Sequence, residues 1–165
     1  KKIAINDLIT KEESYLKSKK TFVFCNTVAI AREFEESLKE KGYRTGLILG
    51  VNHMSKGERK EVFSKFVSKE LDIIVGTDAL SLGVHYDVNH SIIYGLPSSI
   101  ESYWQKAGRA GRVNSTEVAR VHLYWGYQDV HELTWRTASL SDTNRIEQEE
   151  STSKVLRFRL LLFLF

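Results

Sequence analysis

The chain has a single cysteine, no long apolar run and little net charge, and each shortage excludes a class of protein. The lone Cys25 excludes an internal disulfide and fits a reducing compartment, so we expect a cytoplasmic or nuclear protein. No apolar run reaches the roughly 18 residues of a membrane-spanning helix, and we expect no membrane partner. The 24 basic and 21 acidic residues give a net charge of only +3. A nucleic-acid partner would therefore need a local basic surface.

Short apolar segments alternate with helical patterns along most of the chain. Strands are predicted over residues 21–25, 45–49, 72–76, 91–96 and 118–125, and helices over 3–16, 28–41, 55–67 and 98–105. This alternation predicts an α/β fold in which helices cover both faces of a parallel sheet. Polar or flexible residues mark the ends of two helices. Asn26 and Thr27 precede one helix and Gly42 follows it, while Ser55 and Glu58 have the spacing of a capping box.

Residues 105–112, QKAGRAGR, place two arginines and two glycines after a helical pattern. Glycine is a poor residue for a helix interior, but it allows the backbone to approach a ligand closely. Arginine presents a fork of donors that matches phosphate oxygens two at a time. We interpret residues 108–112, called the arginine turn below, as a helix end that meets a phosphate. The alternative is a surface turn with two solvated arginines.

Three loops follow predicted strands, at residues 26–27, 50–55 and 77–85. Ligands of parallel sheets bind at the carboxyl ends of the strands. We therefore expect these loops to share one edge of the sheet, and we expect the arginine turn to lie at that same edge.

Several polar and aromatic residues have both a structural and a functional interpretation. A Thr-Asp pair after a strand, such as Thr77 and Asp78, is usually a helix cap, although its hydroxyl and the amides that follow also suit a phosphate. A loop histidine such as His53 is more often solvated than in contact with a nucleic-acid strand. Tyr103 and Trp104 can stack on bases, but burial in the core is the favoured interpretation.

The order of the motifs adds a family resemblance. The chain carries FVFCNT at 22–27, TDALSLGV at 77–84 and QKAGRAGR at 105–112. It resembles the second RecA-like domain of superfamily 2 helicases, in which similar motifs come in this order. HMSKGERKEVFSKF at 53–66 is similar to the Met-x-x-x-Glu-Arg helix of that family, and LPSSIESYWQKAGRAGR looks most like the RecQ branch.

The resemblance implies a RecA-like fold and a division of labour around ATP. ATP and Mg²⁺ would be held mainly by a first RecA-like domain of the same polypeptide, while this domain would supply arginine fingers across the cleft. The implied catalytic residues are Arg109, Arg112 and Gln105, and the implied ATP-binding residues are Gly83, His85, Asp87 and Gly108. The implied nucleic-acid-binding residues are Asn26, Thr27, His53, Thr77 and Asp78.

The chain departs from the family pattern at two points. His85 stands where many relatives have an acidic residue or Asn that touches the ribose, which puts that contact in doubt unless Asp87 replaces it. The sequence also contains no GxxxxGK[ST] segment and no strand that ends in an Asp-Glu pair. We therefore expect the isolated chain to be inactive as an ATPase.

Two functions of different class remain open. The first is the second motor domain of an ATP-dependent helicase or translocase that acts on single-stranded or duplex nucleic acid, with DNA favoured over RNA. The second is a non-catalytic nucleic-acid-binding or scaffold domain that keeps the RecA-like fold. We expect residues 1–138 to form the domain, and the polar and apolar segment 139–165 to lead to or pack on a neighbouring domain.

Overall fold

Five parallel strands form one sheet, with the strand order β2-β3-β1-β4-β5. The structure is a computed structural model, and it describes residues 3–81, 86, 88–111 and 118–131. The strands are β1 (Thr21–Cys25), β2 (Thr45–Ile48), β3 (Ile73–Gly76), β4 (His90–Tyr94) and β5 (Arg120–Tyr124). The predicted α/β class and parallel sheet are confirmed.

Helices connect the strands and lie on both faces of the sheet. They are α1 (Ile5–Lys11), α2 (Glu13–Ser18), α3 (Val28–Glu40), α4 (Lys56–Val67) and α5 (Ile100–Ala107), and a 3₁₀ turn at Asp78–Leu80 follows β3. The first three helices pack on one face, where Leu8 and Phe34 meet Val23 of β1. On the other face Phe66 of α4 and Leu80 of the 3₁₀ turn meet Phe22 of β1. All six of these side chains are fully buried.

The predicted helix caps are present at both sites. The Thr27 side chain accepts a 3.2 Å hydrogen bond from the Ile30 amide. Ser55 accepts one from the Glu58 amide at 3.2 Å, and the Glu58 carboxylate accepts one from the Ser55 amide at 2.7 Å. Each cap satisfies amides that the first helical turn leaves unpaired, so both helices begin where the sequence places them.

The structure corrects two predictions about helices. The helix predicted over 3–16 is two helices that meet at Glu12, a buried residue. Trp104, favoured as a core residue, is 66% exposed, whereas Lys106 of the same helix is buried. The sheet-facing side of α5 carries Lys106 and Ala107, and the 100° step of a helix turns Trp104 away from it.

Some expectations fall on residues that the structure does not describe. The predicted boundary at 138/139 and the segment 139–165 lie outside the described residues. Within the described ranges, no helix is both long enough and apolar enough to cross a membrane.

Candidate functional site

The arginine turn lies at the amino edge of the sheet. The Val88 amide donates a 3.0 Å hydrogen bond to the Arg109 carbonyl, and the Gly111 amide donates one of 3.1 Å to the Val88 carbonyl. Val88 comes two residues before β4, at the start of that strand. The expectation that the arginine turn shares the carboxyl edge with the three loops is therefore wrong. The reason is topological: α5 must carry the chain back across the sheet before the parallel strand β5 can begin.

Each of the three loops begins at the carboxyl edge, as expected. Asn26 and Thr27 follow β1, His53 lies in the turn after β2, and Thr77 and Asp78 follow β3. Register pairs Phe24 of β1 with Gly76 of β3, so the two strands end within one residue of each other. All five candidate nucleic-acid-binding residues thus lie at one edge.

Two side-chain contacts join α5 and the arginine turn to the segment after β3. Arg109 Nη2 donates a hydrogen bond to the Ser81 carbonyl. Lys106 Nζ lies 2.8 Å from Asp78 Oδ1. Together with the 3₁₀ turn, these contacts connect Thr77, at the carboxyl edge, to Arg109, at the amino edge. We call the connected residues 77–81, Lys106 and Arg109 the bridging segment.

Sequence reasoning missed Lys106 and Ser81. A signal for Lys106 was available, because it lies three residues after Tyr103 and next to Ala107 on a helical pattern. No sequence signal shows that the Ser81 carbonyl, 28 residues away, is the acceptor for Arg109.

Gln105 and Gly108 occupy less specialised positions. Gln105 is exposed, and its Nε2 donates a 3.3 Å hydrogen bond to Glu101 Oε1 one helical turn earlier. Gly108 is the residue that ends α5, and its amide donates to the Trp104 carbonyl at 2.8 Å. The remaining implied residues, Arg112, Gly83, His85 and Asp87, lie outside the described part of the chain.

Asn26 has a packing role that the sequence does not reveal. Its Nδ2 donates a 3.0 Å hydrogen bond to the Leu96 carbonyl, which ties the end of β1 to the end of β4. Its side chain also lies where a side chain on Gly95 would be, since a Cβ there would come within 2.5 Å of Asn26 Nδ2. The Asn26 amide is thereby fixed at the carboxyl edge.

A cavity of about 280 Å³ opens beside Asn26. Its other lining residues are Ala4, Ile5, Ile30, Glu33, Tyr94, Gln128 and Asp129. Two of them are carboxylates, which repel a phosphate. This cavity therefore disfavours an anionic ligand.

Comparison with known proteins identifies the family. A family model described as the helicase conserved C-terminal domain matches residues 1–114, more than half of the chain. The chain belongs to this family. The helicase C-terminal domain is 36% identical over 101 residues to the ATP-dependent RNA helicase RhlB of Shewanella amazonensis, covering 61% of this chain and 23% of the relative. It is 30% identical over 117 residues to the ATP-dependent helicase wrn-1 of Caenorhabditis elegans, covering 70% and 11%.

Solved structures show the same fold. A DEAD box protein from Methanococcus jannaschii superposes with a TM-score of 0.65 at 27% identity, covering 80% of this chain and 36% of that one. The helicase MrfA bound to DNA and AMPPNP gives a TM-score of 0.61 at 23% identity, covering 79% and 19%. The helicase C-terminal domain therefore has the RecA-like fold of superfamily 2, and it spans less than a quarter of these two curated relatives. RhlB and wrn-1 match about equally well, so the comparisons do not single out the RecQ branch.

Proposed function

We propose that this helicase C-terminal domain is the second motor domain of an ATP-dependent helicase or translocase, with the arginine turn directed at ATP. The observation that supports this most is the bridging segment. It joins the amino edge, where we expect the nucleotide, to the carboxyl edge, where we expect the nucleic-acid strand. A motor needs such a connection if ATP hydrolysis is to change the affinity for a nucleic-acid strand. A simple scaffold domain does not need one.

Arg109 is the described residue best suited to act on the nucleotide. A guanidinium has five N–H donors in a rigid plane, and the hydrogen bond to the Ser81 carbonyl fixes the direction of that plane. Arg112, three residues later, would be the second finger. In other nucleoside triphosphatases an arginine finger contributes about 10³ to 10⁵ in rate. ATP and Mg²⁺ would be held mainly by the first RecA-like domain.

The carboxyl edge would hold the nucleic-acid strand through polar side chains. These are the hydroxyl, amide and imidazole groups of Thr77, Thr27, Asn26 and His53. Such contacts position the backbone of a nucleic acid without reading its sequence. The role of Asp78 differs from that of the others, because its carboxylate pairs with Lys106 and would repel a phosphate. We assign it a positioning role within the bridging segment.

The relatives do not favour DNA over RNA, since RhlB and the rice DEAD-box protein 35B are both named as RNA helicases. The proposal therefore covers single strands of both DNA and RNA. Membership of the RecQ branch stays a hypothesis that rests on the sequence pattern of residues 96–112. An intracellular location, cytoplasmic or nuclear, is part of the proposal. The isolated chain is expected to hydrolyse no ATP.

The test is Arg109→Ala in the polypeptide that joins this domain to its first RecA-like domain. Turnover should fall by at least about tenfold, because the lost charge acts on the transition state. Arg109→Lys should rescue poorly, since lysine lacks the planar fork. Strand affinity without nucleotide should stay within about twofold. Losing the Ser81 contact removes about 1 kcal/mol, which should lower the melting temperature by about 2–4 °C.

Arg32→Ala is the matched control, because Arg32 is an exposed arginine on α3 and belongs to neither the arginine turn nor the bridging segment. Turnover in the control should equal that of the wild type. Wild-type turnover in both Arg109→Ala and Arg112→Ala would overturn the motor role and leave the non-catalytic scaffold domain. Robust ATP hydrolysis by the repurified isolated chain would also contradict the proposal.

A further inference from the structure

Two histidines and a glutamate from distant parts of the chain converge on the face of the sheet covered by α1 and α2. Glu12 lies where α1 meets α2, His90 begins β4, and His122 lies on β5. Register pairs His122 with Ile92, so both histidines point to the face where Ile92 packs against α1 to α3. The arginine turn packs through α5 and Val88 on the opposite face. This cluster is therefore separate from the candidate functional site.

One atom from each residue forms a small triangle. Glu12 Oε2 lies 2.7 Å from His122 Nδ1 and 3.3 Å from His90 Nε2. The two imidazole nitrogens are 3.4 Å apart. Ligands bound to one metal ion at about 2.0–2.1 Å are separated from each other by about 2.8–3.4 Å in octahedral or tetrahedral geometry. The triangle already has nearly these dimensions.

Neighbouring residues hold the histidine and the glutamate in the orientation that a metal needs. The Thr21 hydroxyl donates to the Lys19 carbonyl at 3.1 Å, so at 3.2 Å it accepts from His90 Nδ1–H. Because the Nδ1 proton faces Thr21, the neutral His90 ring has its lone pair on Nε2, inside the triangle. Such a hydrogen bond to the other ring nitrogen is typical of metal-binding histidines.

Tyr124 orients the glutamate in a similar way. Its hydroxyl donates to Glu12 Oε1. The second oxygen, Oε2, is thereby turned toward the two imidazoles.

The Glu12 oxygen inside the triangle lacks a hydrogen-bond donor of suitable geometry among the residues that the structure describes. The glutamate is only 2% exposed. A buried carboxylate oxygen without a donor is costly, and a cation placed between it and the two nitrogens removes that cost. His122 keeps 30% of its side chain exposed, which gives an ion and a water ligand access from solvent.

We propose that Glu12 Oε2, His90 Nε2 and His122 Nδ1 form a binding site for a divalent transition-metal ion, with zinc as the preferred ion and water as the fourth ligand. Two imidazoles and one carboxylate with an open position suit zinc, whereas magnesium and calcium prefer sites made of oxygen alone. The ion joins the α1–α2 link to two strands of the sheet. Because the ligands come together only in the folded chain, zinc binding stabilises the fold.

The test uses the full 165-residue chain, free of any affinity tag and stripped of metal by a chelator. Titration with ZnCl₂ in a calorimeter should show one saturable site per chain and a rise in melting temperature. CoCl₂ should bind with the visible absorption of a low-symmetry cobalt site. MgCl₂ should give neither a heat of binding nor a stabilisation. A wild-type chain that binds neither zinc nor cobalt overturns the proposal.

Variants locate the site. Glu12→Gln preserves the shape of the side chain and the Tyr124 contact but removes the charge. His122→Ala removes a partly exposed ligand whose ring also contacts Tyr15, His90 and Tyr124. Each should weaken zinc binding at least about tenfold and abolish the zinc-dependent rise in melting temperature. His131→Ala is the control, because His131 is an exposed histidine outside the cluster. Wild-type zinc affinity in His122→Ala, or loss of binding in His131→Ala, would show that zinc binds elsewhere.

Discussion

Lys106 Nζ lies 2.8 Å from Asp78 Oδ1, and the environments of the two side chains are very different. The lysine side chain is 2% exposed, whereas that of the aspartate is 63% exposed. A buried ammonium needs a partner, since removing its charge from water is costly. Asp78 provides that partner and so attaches α5 to the turn that follows β3.

This asymmetry predicts the effect of Asp78→Asn. The free energy of unfolding should fall by about 1–3 kcal/mol, because the buried ammonium loses its charged partner. The aspartate is largely solvated, which keeps the loss below that of a fully buried pair. Urea unfolding of the chain measures the change. Glu36→Gln, at an exposed position of α3, should change it by less than about 0.5 kcal/mol.

A double-mutant cycle isolates the pair. Lys106→Met removes the buried charge and keeps most of the volume, so Asp78→Asn should cost little in that background. If Asp78→Asn lowered the free energy of unfolding equally in the wild type and in Lys106→Met, the result would contradict the pairing.

Thr77→Ala should weaken single-strand binding by the polypeptide that joins this domain to its first RecA-like domain. The loss should be several-fold, since one hydrogen bond contributes about 1 kcal/mol. The slope of log affinity against log salt should stay unchanged, because a hydroxyl neutralises no phosphate charge. Binding titrations at several salt concentrations measure both quantities.

Thr10→Ala is the control for this variant. Thr10 is an exposed threonine on α1 whose hydroxyl donates to the Asn6 carbonyl at 3.0 Å. Strand affinity should be unaffected there. Unchanged affinity in Thr77→Ala itself would remove Thr77 from the strand-binding residues.

Gly95→Ala should destabilise the domain by about 2–4 kcal/mol. Gly95 has φ +110°, which L side chains rarely adopt, and an added Cβ would meet the Asn26 side chain at 2.5 Å. Gly50→Ala is the matched control, since a Cβ at Gly50 meets nothing within 4 Å. Thermal unfolding of the two variants should separate them clearly. Similar melting temperatures would show that the end of β4 adjusts without cost.

Local sequence determined most of the secondary structure. The run TFVFC is both β-branched and aromatic, and it became the fully buried strand β1. Thr27 and the Ser55–Glu58 pair set two helix starts, because the capping groups lie within three residues of the amides they satisfy. Interactions of such short range can be predicted without knowing the fold. The parallel sheet followed from the alternation of strands and helices.

Only the tertiary structure decided which groups meet across the sheet. It placed the arginine turn at the amino edge, joined Lys106 to Asp78, and brought Glu12, His90 and His122 into one triangle. These partners are separated by tens of residues and follow no helical or strand periodicity. Their contacts depend on strand order and on where each helix crosses the sheet, which are set by packing of the whole core and leave no local pattern in the sequence.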